Sequence, residues 1–390
     1  MTITISSDVL DEVIATRRDL HAHPELAFEE TRTSAVIEAR LRELGYDVRS
    51  GIAGTGVVGI LRTGRRGRTI LLRADMDALP IQEASNLPFR STIPGKMHAC
   101  GHDAHVAILL GAARVLMDRR DELVGTLVLC FQPAEEGKGG GREMVNEGVL
   151  DDPRVDAAYG LHVSSNYPTG VVAWRSGPYF ASSDSIEATI RGRGSHGASP
   201  HEGIDPIFTA ATFITSVQQI ISRNVPPVEP AVVTISAIHG GTTHNVIPDE
   251  VQLLGTVRAF NPDVRKAMPE RVERVLKGAC ESTGATYDYR YVWRYPVTIN
   301  DPVETRVVEE VARTLFGPKR SIEGERTMGA EDFSFFLERV PGSYFLVGAS
   351  SGPETSKPHH NAGFAIDERA LETGVQMMVG LGLEAPRRNR

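Results

Sequence analysis

Several features are scarce in this 390-residue chain, and each absence excludes a class of protein. Only three cysteines are present, at positions 100, 130 and 280. Three are too few for a disulfide framework and fit a reducing compartment. The chain has no run of lysine or arginine and carries a net charge of −8, so a nucleic-acid partner is not expected.

The N-terminus also lacks targeting features. Its first residues, MTITISSDVLDEV, contain neither the basic nor the apolar stretch of a signal peptide, and we see no transmembrane span. We therefore expect a cytoplasmic protein that makes no membrane contact. Internal repeats, low-complexity tracts and long linkers are absent as well. Because single cores stop growing at roughly 250 to 300 residues, the length predicts two domains.

Short continuous apolar runs occur towards both ends of the chain. They are TGVVGIL, TILLRA, TLVLCF, AAYGLHV and SYFLVGA, and the longer run VAILLGAARVLM between the second and third suits a buried helix. This alternation predicts an α/β sheet with helices on both faces. From Asp8 to about Leu44 the apolar positions recur at helical spacing and end at Gly45.

The middle of the chain has a different pattern, with strand and helix signals in the order β, α, β, β, α, β. This order is typical of a ferredoxin-like α+β domain. We therefore predict an inserted domain at 182–292 and a discontinuous α/β domain at 1–181 and 293–390. Ligands of open α/β sheets bind at the carboxyl ends of the strands, which is where the polar clusters of this sequence fall.

Two acidic residues follow the apolar run TILLRA in the segment TILLRADMDALP. Asp75 and Asp77 are two positions apart, so their side chains point the same way in a strand and can share one site. A polar strand end or an Asx turn would explain them equally well.

The segment HACGHDAH places Cys100, His102, Asp103 and His105 just before the apolar helix. Thiolate and imidazole together are typical ligands of zinc-like divalent metals. The N-terminus of a helix would also favour an ionised Cys100. A buried, inert cysteine beside capping residues is the alternative for Cys100 alone.

The segment FQPAEEGK contains two adjacent glutamates, Glu135 and Glu136, after the apolar run TLVLCF. Adjacent side chains of an extended segment face opposite sides, so one glutamate is expected to bind metal and the other to act as general base. The pattern alone leaves open which residue does which. A solvated charged loop is the usual explanation of such a segment.

Three more histidines follow apolar strands or lie in loops. His162 ends the run AAYGLHV, where a core histidine is the ordinary explanation, and His359 and His360 lie in the loop SKPHHNAGF. We consider these histidines as metal ligands because all the segments described lead to the same edge of the predicted sheet.

The inserted segment has its own polar cluster. GRGSHGASPHEG contains His196 and His201, and Asn245 and Arg258 follow in THNVIPDEVQLLGTVRAF. Arginine and asparagine suit an anion such as a carboxylate. An ordinary surface ion pair and a turn would explain the same residues.

Taken in order, the motifs closely resemble the amidohydrolase branch of the dinuclear metallopeptidases, which includes hippurate hydrolases, aminoacylases and auxin-conjugate (IAA-amino acid) hydrolases. The resemblance covers nearly the whole chain, from RRDLHAHPELAFEE through HACGHDAH, FQPAEEG, GLHV, SHGASPHEG, NVIPDE and MGAEDF to HHNAGF. It implies a zinc-aminopeptidase-like α/β catalytic domain with an inserted ferredoxin-like lid and dimerisation domain. It also implies a small N-acyl L-amino acid substrate and a homodimer.

Carried over by position, the resemblance implies two divalent metal ions, manganese or zinc. The implied ligands are Cys100, His102, Glu136, His162 and His360. Glu135 would be the catalytic base, and Asp77 would support the site. His196, Asn245 and Arg258 match residues that contact substrate, the histidine reaching across the dimer.

Two departures from the family pattern are visible. Ala362 stands where the family usually has proline, and His359 precedes the proposed ligand His360. More distant dinuclear peptidases have His at the position of Asp75 and Asp at that of Cys100. The expected reaction is hydrolysis of an N-acyl amino acid. The alternatives are a dipeptidase or carboxypeptidase using the same site, and a non-catalytic protein that binds metal or amino acids.

Overall fold

The computed structural model describes residues 2–388 and divides them into two compact units. The first contains the chain up to Gly177, the segment Ile299–Glu325 and the residues from Asp332 onwards. The second consists of Pro178–Thr298 and Arg326–Glu331. The segment 182–292 that we expected as an insertion lies within the second unit.

The helices and strands are numbered in chain order. The helices are α1 (Ser7–Ala22), α2 (Thr31–Glu43), α3 (His102–Asp118), α4 (Glu135–Lys138), α5 (Gly140–Asn146), α6 (Pro206–Val217), α7 (Pro262–Thr283), α8 (Pro302–Phe316), α9 (Ser334–Leu337) and α10 (Arg369–Glu384). The strands are β1 (Asp47–Ile52), β2 (Gly56–Arg62), β3 (Thr69–Asp75), β4 (Thr126–Gln132), β5 (Ala157–Pro168), β6 (Val172–Trp174), β7 (Gly177–Phe180), β8 (Ser183–Arg191), β9 (Ser195–His196), β10 (Ala231–His239), β11 (Val246–Ile247), β12 (Glu250–Ala259), β13 (Thr286–Tyr295), β14 (Thr298–Asn300), β15 (Ser321–Glu323) and β16 (Gly342–Ser350).

An eight-stranded sheet forms the centre of the first unit, in the order β1-β2-β4-β3-β5-β16-β6-β15. Strands β4, β3, β5 and β16 are parallel, whereas β1, β2 and β6 join antiparallel neighbours. Strands β2, β3, β4 and β16 are buried along nearly their whole length, so both faces of the sheet are covered. The predicted mixed α/β fold is confirmed.

The helical pattern near the N-terminus is two helices. Helix α1 ends at Ala22 and α2 begins at Thr31. Pro24 accounts for the break, because the residue before a proline disfavours helical backbone. The intervening loop runs beside the end of β3, where Leu26 forms a bridge with Ala78.

The second unit has the predicted ferredoxin-like pattern. Its four-stranded antiparallel sheet has the order β10-β12-β8-β13, with α6 and α7 supplying the two helices of the β-α-β-β-α-β sequence. Inward residues of β8 and β12 alternate with more exposed ones, as expected for a sheet with one face on a core. Within residues 2–388, no helix has the length and apolar character needed to cross a bilayer.

Candidate metal centre

The polar segments of the first unit converge at the carboxyl edge of its sheet. Strand β3 ends at Asp75, β4 leads to Glu135, and β5 carries His162. Because β4, β3 and β5 run in parallel, their carboxyl ends lie at one edge. Helix α3 starts there with His102.

One possible metal site is formed by Cys100, His102 and Glu136, whose ligand atoms lie within 4.8 Å of one another. The Nδ1 atom of His102 lies 2.8 Å from the carbonyl oxygen of Asp77. Its Nε2 atom is buried and, within residues 2–388, has no hydrogen-bond partner. A buried imidazole nitrogen without a partner, beside a thiol and a carboxylate, fits a divalent cation.

A second possible site shares Cys100 with the first. The sulfur of Cys100 lies 3.3 Å from Nε2 of His162 and 3.7 Å from Nδ1 of His359, and the three ligand atoms lie within 4.8 Å of one another. The Nδ1 atom of His162 lies 2.6 Å from the carbonyl oxygen of Val163, so its proton points there and Nε2 is available as a ligand. Cys100 therefore belongs to both groups of possible ligands.

The two adjacent histidines of the C-terminal loop reach this edge in different ways. His359 belongs to the second group, whereas Nε2 of His360 lies 3.2 Å from Oε1 of Glu136. The side chain of His360 remains 53% exposed. The expected ligand His360 is thus beside the centre without belonging to either group of three, and its role stays a prediction.

The electrostatics of Cys100 differ from the expectation based on the nearby helix. Burial and the carboxylates of Glu136, Glu135 and Asp75 raise the pKa of the Cys100 thiol well above its ordinary value. In the protein without a cation, burial and nearby negative charge therefore favour the neutral thiol, against the favourable effect on the thiolate that we expected from the start of α3. An ionised thiolate at this position requires a positive ion beside it.

Burial and nearby charges also shift the pKa values of the histidine rings. Burial opposes the charged form of His102, but the carboxylates of Asp75, Asp77 and Glu136 raise its pKa to about 10. Burial lowers the pKa of His162 well below its ordinary value, and burial lowers that of His359 to about 4. Neutral rings are the form in which histidine binds metals, so His162 and His359 are ready as ligands.

The two glutamates lie on an irregular turn. Ala134 has φ 56°, and Glu136 and Gly137 depart from helical backbone. The assumption of an extended segment was therefore wrong. Asp77 orders the turn, because its two carboxylate oxygens accept the N–H groups of Glu135 and Glu136 at 3.0 and 2.9 Å.

The side chains of the two glutamates nevertheless differ in position. Glu136 belongs to the group with Cys100 and His102, whereas Glu135 belongs to neither group that contains Cys100. Oε1 of Glu135 accepts the N–H group of Asp332 at 3.4 Å. The geometry therefore supports different functions for the two residues.

The expected substrate residues lie in the second unit. Strands β9 and β11 pair His196 with Val246, and the N–H group of Gly197 donates to the carbonyl oxygen of Asn245 at 2.8 Å. His196 and Asn245 are exposed, as is His201 in the turn Pro200–Glu202. The structure thus brings His196 and Asn245 together within the second unit.

Arg258 lies on β12 of the same unit. It is half-buried, and within residues 2–388 its guanidinium has no hydrogen-bond or ion-pair partner. Burial lowers its pKa from the ordinary value, although Asp184 acts in the opposite direction. A half-buried cation without a partner is suited to an anionic ligand.

Some residues of the centre were missed from the sequence, above all those behind Asp75. Arg73, Gln132 and Asp332 are completely buried. Nε of Arg73 donates to Gln132 at 2.8 Å, and NH2 donates to Asp332 at 2.9 Å. The arginine in the apolar run TILLRA was the available signal, because a charge in a buried strand needs partners.

Comparison with known proteins agrees with this architecture. Residues 71–384 match the peptidase family M20/M25/M40. Thermostable carboxypeptidase 2 of Saccharolobus solfataricus is 41% identical over 372 residues, covering 94% of this chain and 93% of that protein. N-acetylcysteine deacetylase of Bacillus subtilis is 39% identical over 372 residues, covering 95% of this chain and 96% of that protein.

Among solved structures, the YXEP protein of Bacillus subtilis is described as a dinuclear metal-binding peptidase of the M20 family. It superposes with a TM-score of 0.85 at 35% identity, covering 98% of this chain and 99% of that one. Family match, whole-length similarity and fold agree with one another, and the chain belongs to peptidase family M20/M25/M40 and is a metal-dependent hydrolase.

Proposed function

We propose that the protein hydrolyses the amide bond of N-acyl or N-aroyl L-amino acids to a carboxylate and a free amino acid. The observation that carries the proposal is the pair of possible metal sites sharing Cys100, with the buried carboxylate of Glu135 beside them. The N-acetylcysteine deacetylase relative acts on a substrate of this class by its name.

Two divalent ions, manganese or zinc, would occupy the centre. Cys100, His102 and Glu136 would hold one of them, and Cys100 and His162 would hold the other together with a histidine of the loop that contains His359 and His360. Such ions, when bound, acidify a water molecule and polarise the acyl oxygen. The buried thiol and the Nε2 atom of His102, which lacks a hydrogen-bond partner among the described residues, fit this occupant.

Glu135 would act as the general base. Its carboxylate would take a proton from water as the water oxygen attacks the acyl carbon, and would return that proton to the nitrogen as the C–N bond breaks. The turn supports this role, because Asp77 holds the backbone of both glutamates while the side chain of Glu135 stays outside the groups that contain Cys100.

The second unit would recognise the substrate. Arg258 would bind the α-carboxylate with two parallel hydrogen bonds, Asn245 would donate beside it, and His196 would stabilise the developing oxyanion. We further propose that the protein is a homodimer in which His196 is supplied across the dimer. The free donors of Arg258 and the exposed ring of His196 support these roles.

A substrate panel tests the reaction. Purified enzyme loaded with manganese or zinc should release amino acid from N-acetyl and N-benzoyl amino acids, and chelator should abolish this activity. Compounds whose α-carboxylate is an ester or amide should be poor substrates. The Glu135→Gln variant is the matched control for contaminating hydrolases. No release from any N-acyl amino acid by the loaded enzyme would exclude the proposal.

A carboxypeptidase or dipeptidase is the second candidate, favoured by the name of the Saccharolobus solfataricus relative. Both reactions use the same amide chemistry and the same α-carboxylate. The panel should therefore include free dipeptides and N-blocked dipeptides. A higher kcat/KM for these than for N-acyl amino acids would assign the protein to the second class.

A further inference from the structure

A third group of possible ligands lies behind the two already described. The side chains of Asp75, His102 and His105 are buried, and their ligand atoms lie within 4.8 Å of one another. By distance alone the group would suit another cation. The hydrogen bonds of its members indicate a different role.

Both ring nitrogens of His105 are already engaged. Nδ1 lies 2.5 Å from Oδ1 of Asp75, and the N–H group of Val163 donates to Nε2 at 2.9 Å. Because Nε2 accepts a hydrogen bond, the proton of the neutral ring is on Nδ1 and is donated to Asp75. No lone pair of His105 is left for a metal ion.

Asp75 is equally occupied. Its Oδ2 atom accepts from NH1 of Arg73 at 2.7 Å, while Oδ1 accepts from His105. The guanidinium of Arg73 is completely buried. A buried positive charge in contact with Asp75 opposes a cation at the same carboxylate. The third group is thus a chain of hydrogen bonds.

The chain of hydrogen bonds ends at the backbone of Val163. Its N–H group is held by His105, and its carbonyl oxygen accepts from Nδ1 of His162 at 2.6 Å. The same His162 directs Nε2 to the sulfur of Cys100, 3.3 Å away. The orientation of the ligand ring therefore depends on Asp75 and His105.

We propose that Asp75 and His105 are positioning residues that direct His162 to its metal ion, and that they do not bind a third ion. The inference rests on the proposed two-metal centre. Asp75 would hold a ligand of the second site in place through His105 and Val163.

Two substitutions of His105 separate positioning from general structural support. In His105→Gln, the side-chain oxygen reaches the place of Nε2 and can accept from Val163. In His105→Asn, the amide can donate to Asp75 but is too short to reach Val163. We expect the loaded wild type and the glutamine variant to retain two zinc ions after dialysis. The asparagine variant should lose one, since such supporting contacts change metal affinity by roughly 10- to 100-fold.

The measurement is zinc content by mass spectrometry, with affinities from chelator competition. Three ions in the wild type, or unchanged affinity for both ions in His105→Asn, would overturn the inference. Equal losses in the two variants would overturn it as well. If His105→Asn does not fold, Asp75→Asn is measured instead. Its amide would donate to Nδ1 of His105, so the ring proton would move to Nε2 and oppose the N–H group of Val163, and one ion should again be lost. Fewer than two ions in the wild type would refute the proposed two-metal centre, which is a separate failure.

Discussion

The candidate metal centre of the first unit and the proposed substrate residues of the second are built in opposite ways. At the metal centre, Asp77 is 1% exposed and accepts hydrogen bonds from both glutamate N–H groups. In the second unit, His196 is exposed and accepts one from the N–H group of Ala198 at 3.0 Å. Arg258 has no hydrogen-bond or ion-pair partner within residues 2–388.

This difference follows from what each region has to bind. A metal centre requires ligands fixed in advance, because small displacements are costly for coordination and catalysis. Groups that recognise a substrate carboxylate must keep their donors available until the substrate arrives. The buried residues of the metal centre should therefore respond to substitution through metal binding and kcat. Arg258, which would hold the substrate carboxylate, should respond through KM.

The largest effect should come from Glu135 and Glu136, which test whether two neighbouring residues of the metal centre have different functions. We expect Glu135→Gln to retain two metal ions and to lose at least about 10⁴-fold in kcat, because removal of a general base costs roughly 10²- to 10⁴-fold and here the same group also returns the proton. Metal content and steady-state kinetics of the purified variant provide the measurement.

The matched control is Glu136→Gln, which should lose one metal ion. A glutamine at position 136 keeps the size of the side chain but weakens a ligand of the group with Cys100 and His102. Equal metal loss in both variants would contradict the division of functions, and the two glutamates would then form a single ligand set.

The next effect is on the stability of the fold, and it compares a buried ion pair with an exposed one. Arg17 and Asp103 form a 2.8 Å ion pair with almost completely buried side chains, behind the start of α3. Arg17→Met should destabilise the protein by about 3–5 kcal/mol, because it leaves a buried carboxylate without its main partner. At ~2–4 °C per kcal/mol this is a fall of roughly 6–20 °C in Tm.

Arg191 of the second unit is the control for this experiment. It pairs with Glu250 and Asp288 on the surface, and exposed pairs contribute little to stability. Arg191→Met should leave Tm within experimental error. A larger fall in Tm for Arg191→Met than for Arg17→Met would break the comparison between the two regions.

Sequence patterns predicted the strands, the inserted ferredoxin-like pattern and the convergence of polar residues because these depend on periodicity and strand direction. The buried hydrogen-bond chain through Arg73 and Asp75 could not be predicted in this way. Its partners Gln132 and Asp332 are separated by 200 residues, and only the folded sheet brings them together. The backbone of the turn at Glu135 was missed for a related reason, since Asp77 orders it from the loop that follows β3.

A smaller effect should separate His359 from His360, where sequence and geometry differ. The resemblance points to His360, whereas His359 lies with Cys100 and His162. Alanine substitution of the true ligand should weaken binding of one metal ion by at least about 10- to 100-fold, which is the loss of affinity expected when a contact that supports a ligand is removed. Substitution of the other histidine should leave metal content unchanged. Chelator competition on both variants makes the assignment, and equal retention of two ions in both would show that neither is a ligand.

The smallest effect should come from Arg258, and it tests whether this residue acts through substrate binding alone. Arg258→Lys preserves the charge but removes the planar pair of donors. KM for N-acyl amino acids should rise roughly 10- to 100-fold, because a hydrogen bond to a charged group contributes about 1.5–3 kcal/mol, while metal content and kcat stay near wild type.

Arg290→Lys is the control, since Arg290 is exposed and paired with Glu187. A substrate with an amidated α-carboxyl group should show the same KM in wild type and Arg258→Lys. If Arg258→Lys instead lowers kcat with no change in KM, the arginine acts on the reacting groups. The contrast between a metal centre that acts through kcat and an arginine that acts through substrate binding would then be wrong.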